Sequence, residues 1–163
     1  RTRVDMNNVT IVSPDAGRIR VAEQWAARLG GARLAFVHQT RDITRPNQAV
    51  ANRVVGDVEG RTAILVDDMI DTAGTITEAV RVVLASGASD VIVAATHGIL
   101  SDPAARRLTE CGAREIIVTD SLPIKRDKMF PQLTILPIAP LLARAIREIF
   151  DDGSVTSLFD GAS

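Results

Sequence analysis

Cysteine is nearly absent from this chain of 163 residues, and the single one, Cys111, has no partner for an intrachain disulfide. No apolar run approaches the length needed to span a bilayer, and no segment looks like a signal peptide. A cytoplasmic setting and no membrane partner are the expectations. Excess charge is lacking too. The formal net charge is -1 and the pI about 6.1, so there is no basic stripe to neutralise a polynucleotide backbone, and a nucleic-acid partner is not expected. Any phosphate bound here is expected to be a small one. An initiating methionine is also missing: the chain opens at Arg1 in a polar stretch to Asn8 with no element assigned to it. A missing upstream segment is therefore expected.

What is present suits one globular domain, with 46% hydrophobic and 24% charged residues. Apolar runs of strand length alternate with stretches of helical spacing, the pattern of a parallel sheet covered on both faces. The reading is an α/β fold with a doubly wound parallel sheet. Strands are predicted at Val9–Val12, Leu34–Val37, Ala63–Val66, Val91–Ala95, Ile116–Val118 and Leu133–Leu136, and helices at Gly17–Leu29, Thr75–Ala85, Pro103–Glu110 and Pro140–Phe150. Three similar segments begin at Gly31, Gly87 and Gly112, each a glycine and then an apolar strand. They mark successive βα units, because glycine takes the left-handed conformation that stops a helix just before a strand. From Gln39 to Asn52 the chain is polar, contains Pro46 and keeps no period. A loop that long inside a compact domain is usually functional or disordered, and it is expected to be mobile. The tail from Asp151 to Ser163 is polar apart from Val155, Leu158 and Phe159, which are candidates for docking on this domain or a neighbour.

The chemistry concentrates at Ile64-Leu65-Val66-Asp67-Asp68-Met69-Ile70-Asp71-Thr72-Ala73-Gly74-Thr75, an apolar strand, paired acids and a short loop that opens a helix. In open α/β sheets ligands bind beyond the carboxyl ends of the strands. Small residues at Ala73 and Gly74 let backbone amides approach a phosphate, Thr72 and Thr75 add hydroxyls, and the helix start adds unpaired N–H groups with a favourable dipole. Asp67 and Asp68 suit a polyol, whose hydroxyls they can accept, or a divalent cation. The plainer alternative makes Thr75-Ile76-Thr77-Glu78 a capping box and Asp71 and Thr72 a turn. That alternative leaves the two acids after a buried strand unexplained.

This segment resembles the phosphoribosyl diphosphate motif of type I phosphoribosyltransferases, and in its wording from Val66 to Thr75 it resembles ribose-phosphate diphosphokinases. Val12-Ser13-Pro14-Asp15-Ala16-Gly17 is similar to that family's diphosphate loop. Pro46-Asn47-Gln48 with the stretch from Val55 to Arg61 resembles its flexible loop and following hairpin, and Ala95-Thr96-His97-Gly98 and Ser157-Leu158-Phe159 resemble later landmarks. The resemblance covers nearly the whole chain in order. It implies a type I phosphoribosyltransferase-like fold and a C-terminal half of a two-domain synthetase, whose nucleotide-binding half is absent. The implied reaction moves the β,γ-diphosphoryl group of ATP to ribose 5-phosphate, with Mg2+ as cofactor and a homo-oligomeric assembly. ATP would be held mainly by the missing domain, since neither a Walker loop nor a dinucleotide fingerprint is present.

Residue by residue, the resemblance places the 5-phosphate of ribose in the loop Asp71, Thr72, Ala73, Gly74 and Thr75, the ribose hydroxyls at Asp67 and Asp68, and magnesium near Asp15. Taken alone, Asp15 also has a plainer reading as a helix cap after the Ser13-Pro14 turn. Arg41 matches one member of a basic catalytic pair on the flexible loop and suits a bidentate contact to the ribose phosphate. The other member, a lysine in the family, is Gln39 here, and a neutral amide supplies no charge to a transferring phosphoryl group. Arg18 stands where many relatives have a second glycine, which bears on the shape of the diphosphate loop. His97 could reach the sheet edge but is more simply a structural histidine, and His38 has no stronger claim. Two alternatives stay open: a phosphoribosyltransferase that consumes phosphoribosyl diphosphate, although no hood for a base is visible, and a catalytically dead associated subunit, for which Gln39 speaks.

Overall fold

The structure is a computed structural model that describes residues 4–40 and 51–158. Seven strands form one sheet: β1 (Val9–Ser13), β2 (Arg33–Thr40), β3 (Ala51–Val55), β4 (Thr62–Ile70), β5 (Asp90–Gly98), β6 (Glu115–Thr119) and β7 (Leu133–Leu136). Their spatial order is β3-β2-β1-β4-β5-β6-β7, and every neighbouring pair is parallel except β2 with β3. The helices are α1 (Ile19–Arg28), α2 (Gly74–Ala85), α3 (Ala104–Glu110) and α4 (Ala139–Phe150).

All six predicted strands and all four predicted helices are present. β3 was not among them. Gln39 and Thr40 end β2, while Ala51 and Asn52 open β3, with Gln39 opposite Asn52 across an antiparallel ladder. The stretch read as one loop is therefore strand at both ends. Its polarity hid this, because an edge strand buries little and needs no apolar alternation. Residues 41–50, with Arg41 and Pro46, lie outside the described residues. At the other end, Met6–Asn8 form a short 3-10 turn capped by the Asp5 carboxylate, so the opening stretch does carry a small element.

The sheet is wound on both sides. Val9 and Ile11 of β1 pack with Ala22 and Ala26 of α1, whereas Val12 joins a larger cluster with Ile76, Val80 and Val83 of α2 and Leu108 of α3. The alternation of side chains along β1 feeds both layers, and so every one of its five residues is buried. Thr10 is the polar exception in composition but not in bonding: its Oγ1 donates to Asp57 O and accepts from Arg61 Nε. Gly31, Gly87 and Gly112 all have positive φ just before β2, β5 and β6, as the repeated segments predict. Gly56 is tighter still. At φ +115° it lies against β2, where an added Cβ would come within 2.7 Å of Leu34 O and Ala35 Cβ.

Helix α4 buries none of its residues, and the 3-10 turn Val155–Leu158 of the tail packs on it. No helix among the described residues is long and apolar enough to cross a membrane. The site follows from the winding. From β1 the chain steps to β2 on one side and later to β4 on the other, so strand order reverses between β1 and β4 and opens a crevice at their carboxyl ends.

Candidate functional site

The crevice forms because β4 outruns β1. The two strands pair only as far as Val12 with Leu65, after which the chain leaves β1 through Pro14 while β4 continues to Ile70 along β5. Asp67 and Asp68 thus sit inside the strand, with Asp67 opposite Ala95, rather than after its end at Val66. The prediction stopped β4 four residues short because paired acids read as a strand terminus; the longer β5 carries the ladder past them. The resulting cavity of about 300 Å3 is lined by residues 67–76 with Asp15 and Arg18.

The acids are held by their surroundings. Asp67 Oδ1 accepts from Asp68 N at 2.8 Å. Burial pushes the Asp67 carboxyl from its ordinary 3.8 up to about 6, aided by the neighbouring Asp68 charge and opposed by the backbone hydrogen bond and Arg18. Asp68 shows the opposite balance. Its own desolvation pushes upward, but the Asp67 hydrogen bond and the Arg18 charge overcome it and hold the carboxyl below the usual range. Arg18 ends the 3-10 turn Ala16–Arg18 and reaches both acids, Nη2 to Asp68 Oδ2 at 2.6 Å and Nε to Asp67 Oδ1 at 3.5 Å. The residue that looked like a departure in a glycine-rich loop is the counter-ion of the acid pair. Sequence reasoning had no signal for it, since 49 positions of chain separate Arg18 from Asp67.

Beyond the acids, Asp71 and Thr72 are exposed and Ala73 takes a left-handed conformation, φ 61° and ψ 13°. Helix α2 starts at once at Gly74, with no side-chain cap. The capping-box alternative is therefore not realised: Thr75 is already helical, and Thr77 Oγ1 bonds back to Ala73 O at 2.7 Å and Gly74 O at 3.2 Å. No side chain caps the first amides of this 12-residue helix, an arrangement able to receive an anion. Arg107 of α3 supports this loop from outside the cavity, donating to Thr72 O at 3.0 Å.

Asp15 caps its own turn, accepting from Gly17 N at 2.7 Å, which realises the capping reading. It also lines the cavity, with Asp67 and Asp68. Among the described residues no group of three or more His, Cys, Asp or Glu converges as a complete cation site. The donor set still fits magnesium, which keeps several waters and takes only one or two carboxylates with substrate phosphates. His97 lies in β5 opposite Met69, and its Nδ1 is 2.8 Å from Ser121 Oγ, itself bonded to Thr96 O. That contact occupies Nδ1, and His97 does not line the cavity. His38 faces Arg53 across β2 and β3 and does not line the cavity.

Comparison with known proteins places this architecture. The family model for the phosphoribosyl synthetase-associated domain matches residues 36–160. The chain belongs to that family. A ribose-phosphate pyrophosphokinase of Mycobacterium bovis is 66% identical over 154 residues, 94% of this chain and 47% of the relative. One from Bifidobacterium longum is 66% identical over 155 residues, 95% of this chain and 46% of its own. The crystal structure of phosphoribosylpyrophosphate synthetase from Mycobacterium smegmatis superposes with a TM-score of 0.81 at 62% identity, covering 90% of this chain and 46% of that one. The chain thus spans about half the length of the curated relatives it matches. Adenine phosphoribosyltransferase of Giardia lamblia, at 12% identity and a TM-score of 0.54 over 70% of each chain, shares the fold alone.

Proposed function

We propose that this chain is the ribose 5-phosphate-binding half of a phosphoribosyl synthetase, in which diphosphoryl transfer from ATP yields phosphoribosyl diphosphate. The observation that carries the reading is the cavity at the switch point, where an acid pair and an uncapped helix start face the same space. The amides at Ala73, Gly74 and Thr75, with the Thr72 and Thr75 hydroxyls, suit a terminal phosphate. Asp67 and Asp68 suit ring hydroxyls once Arg18 moves aside, which fixes the sugar so that its anomeric hydroxyl is oriented for in-line attack on a β-phosphorus. Asp15 or the acid pair would hold magnesium together with substrate phosphates, and the ion would supply shielding of phosphate charge. ATP binding belongs mainly to the part of the relatives' length that this chain does not match.

Gln39 favours a second reading, a non-catalytic subunit that binds ribose phosphates and regulates an active partner. Its backbone sits at the end of β2, at the edge where residues 41–50 begin. Calorimetric titration of ribose 5-phosphate into the chain tests the binding shared by both readings. Heat that disappears in Asp71→Ala supports them; the absence of heat in the parent chain removes both. Turnover with ATP in a full-length protein carrying this half separates the enzyme from the regulator.

A further inference from the structure

We propose that Arg107 is a positioning residue for the terminal phosphate of the ligand, acting through the peptide plane between Thr72 and Ala73. This rests on the reading that loop 71–75 holds a phosphate. Arg107 stands on α3, in the βα unit after the one that contains the loop, and its Nη1 donates to Thr72 O at 3.0 Å across 35 positions of chain. It does not line the cavity, whereas Thr72 and Ala73 do.

The geometry of a trans peptide gives that single hydrogen bond its consequence. Carbonyl and N–H of one peptide unit point in opposite directions, and the bond between Thr72 and Ala73 is trans. Fixing Thr72 O on the α3 side aims the Ala73 N–H the other way, toward the cavity. Without an anchor this plane has reason to turn. Ala73 is a non-glycine residue at φ 61°, a conformation that side chains beyond glycine adopt at a cost, and rotation of the plane between residues 72 and 73 relieves it. The same guanidinium lies along the start of α2, where an added Cβ on Gly74 would be 3.6 Å from Nη1. Being cationic, it bonds the carbonyl more strongly than a neutral donor would, and it strengthens the field that the helix start presents to an anion. An anchor on α3 therefore makes the nest ready before ligand arrives, which spares ordering at the moment of binding.

The test uses this chain, with ribose 5-phosphate as ligand and the backbone amides followed by two-dimensional NMR. In the parent chain ribose 5-phosphate shifts the amides of Ala73, Gly74 and Thr75. Arg107→Ala is expected to displace the free-state Ala73 amide, leave core residues such as Val93 where they were, and weaken ribose 5-phosphate binding roughly tenfold or more. Arg107→Lys, long enough to keep a cationic donor at the carbonyl, should retain more affinity than Arg107→Gln, which is too short to reach. If the alanine variant folds poorly, the Lys and Gln pair decides alone. Parental affinity in Arg107→Ala, or equal affinity in Lys and Gln, overturns the inference while the binding site stands. Failure of the parent chain to bind ribose 5-phosphate overturns the site and this inference together.

Discussion

The Arg18 guanidinium lies 2.6 Å from Asp68 and 3.5 Å from Asp67, so the two acids that face the crevice share one cation from the opposite side of the switch point. Arg18 lowers the proton affinity of both carboxyls. In Arg18→Ala both should titrate at higher pH, as carboxyl carbon shifts in an NMR pH series would register. The Arg18 side chain is 41% exposed and Asp68 37%, so the loss of stability should stay within about 1 kcal/mol in urea. A much larger loss would mean that Arg18 holds the turn Ala16–Arg18 itself.

Asp67 gives a pH signature of unusual sign. Its folded pKa, about 6, lies above its ordinary 3.8, so the folded state binds the proton more tightly than the unfolded chain. The contribution is fully present below about pH 3.8 and is lost as pH rises through about 6. Asp67→Asn, which keeps an acceptor for Asp68 N, should therefore stabilise the protein at pH 8 and give no gain at pH 4. Paired urea midpoints at the two pH values check this, and a gain of equal size at both would rule out the mechanism. Asp68 runs the ordinary way, with stability present above its unfolded value and lost in acid.

Gly56→Ala places a methyl group 2.7 Å from Leu34 O and Ala35 Cβ at φ +115°. Backbone strain in such a region is about 1–3 kcal/mol before the clash is counted. The variant should unfold at a clearly lower denaturant midpoint, and the damage should localise to the β2/β3 edge in hydrogen exchange.

Gln39→Lys, made in a full-length protein that carries this half, should raise the rate of diphosphoryl transfer roughly a hundred- to thousandfold if position 39 serves the transferring group. Steady-state assays of kcat decide the matter. An unchanged rate means that Gln39 is not the counterpart of the family's lysine.

The layered architecture was legible because buried parallel strands must be nearly continuous apolar runs, as at Val9–Ser13 and Asp90–Gly98, and because glycines such as Gly87 and Gly112 mark where helices stop. The strand-to-helix junction at Asp67–Thr75 was legible for a similar reason: its small residues are local chemistry. β3 was hidden because an edge strand is only partly buried, with Val54 against the core and Val55 exposed, so little enforces a pattern. The reach of β4 past its acids was hidden because only β5, paired alongside, sustains it.

Residue order along the chain determined the fold class, the junction at Asp67–Thr75 and the membership in a phosphoribosyl synthetase family. Tertiary structure alone decided that Arg18 pairs with both acids, that Thr75 caps nothing, that Asp15 spends one oxygen on Gly17 N, and that Arg107 grips the loop from α3. The physical reason is range. Periodicity, turn chemistry and helix signals act over a few residues, whereas a guanidinium on a long side chain meets its partner wherever the winding of the sheet brings two distant segments together.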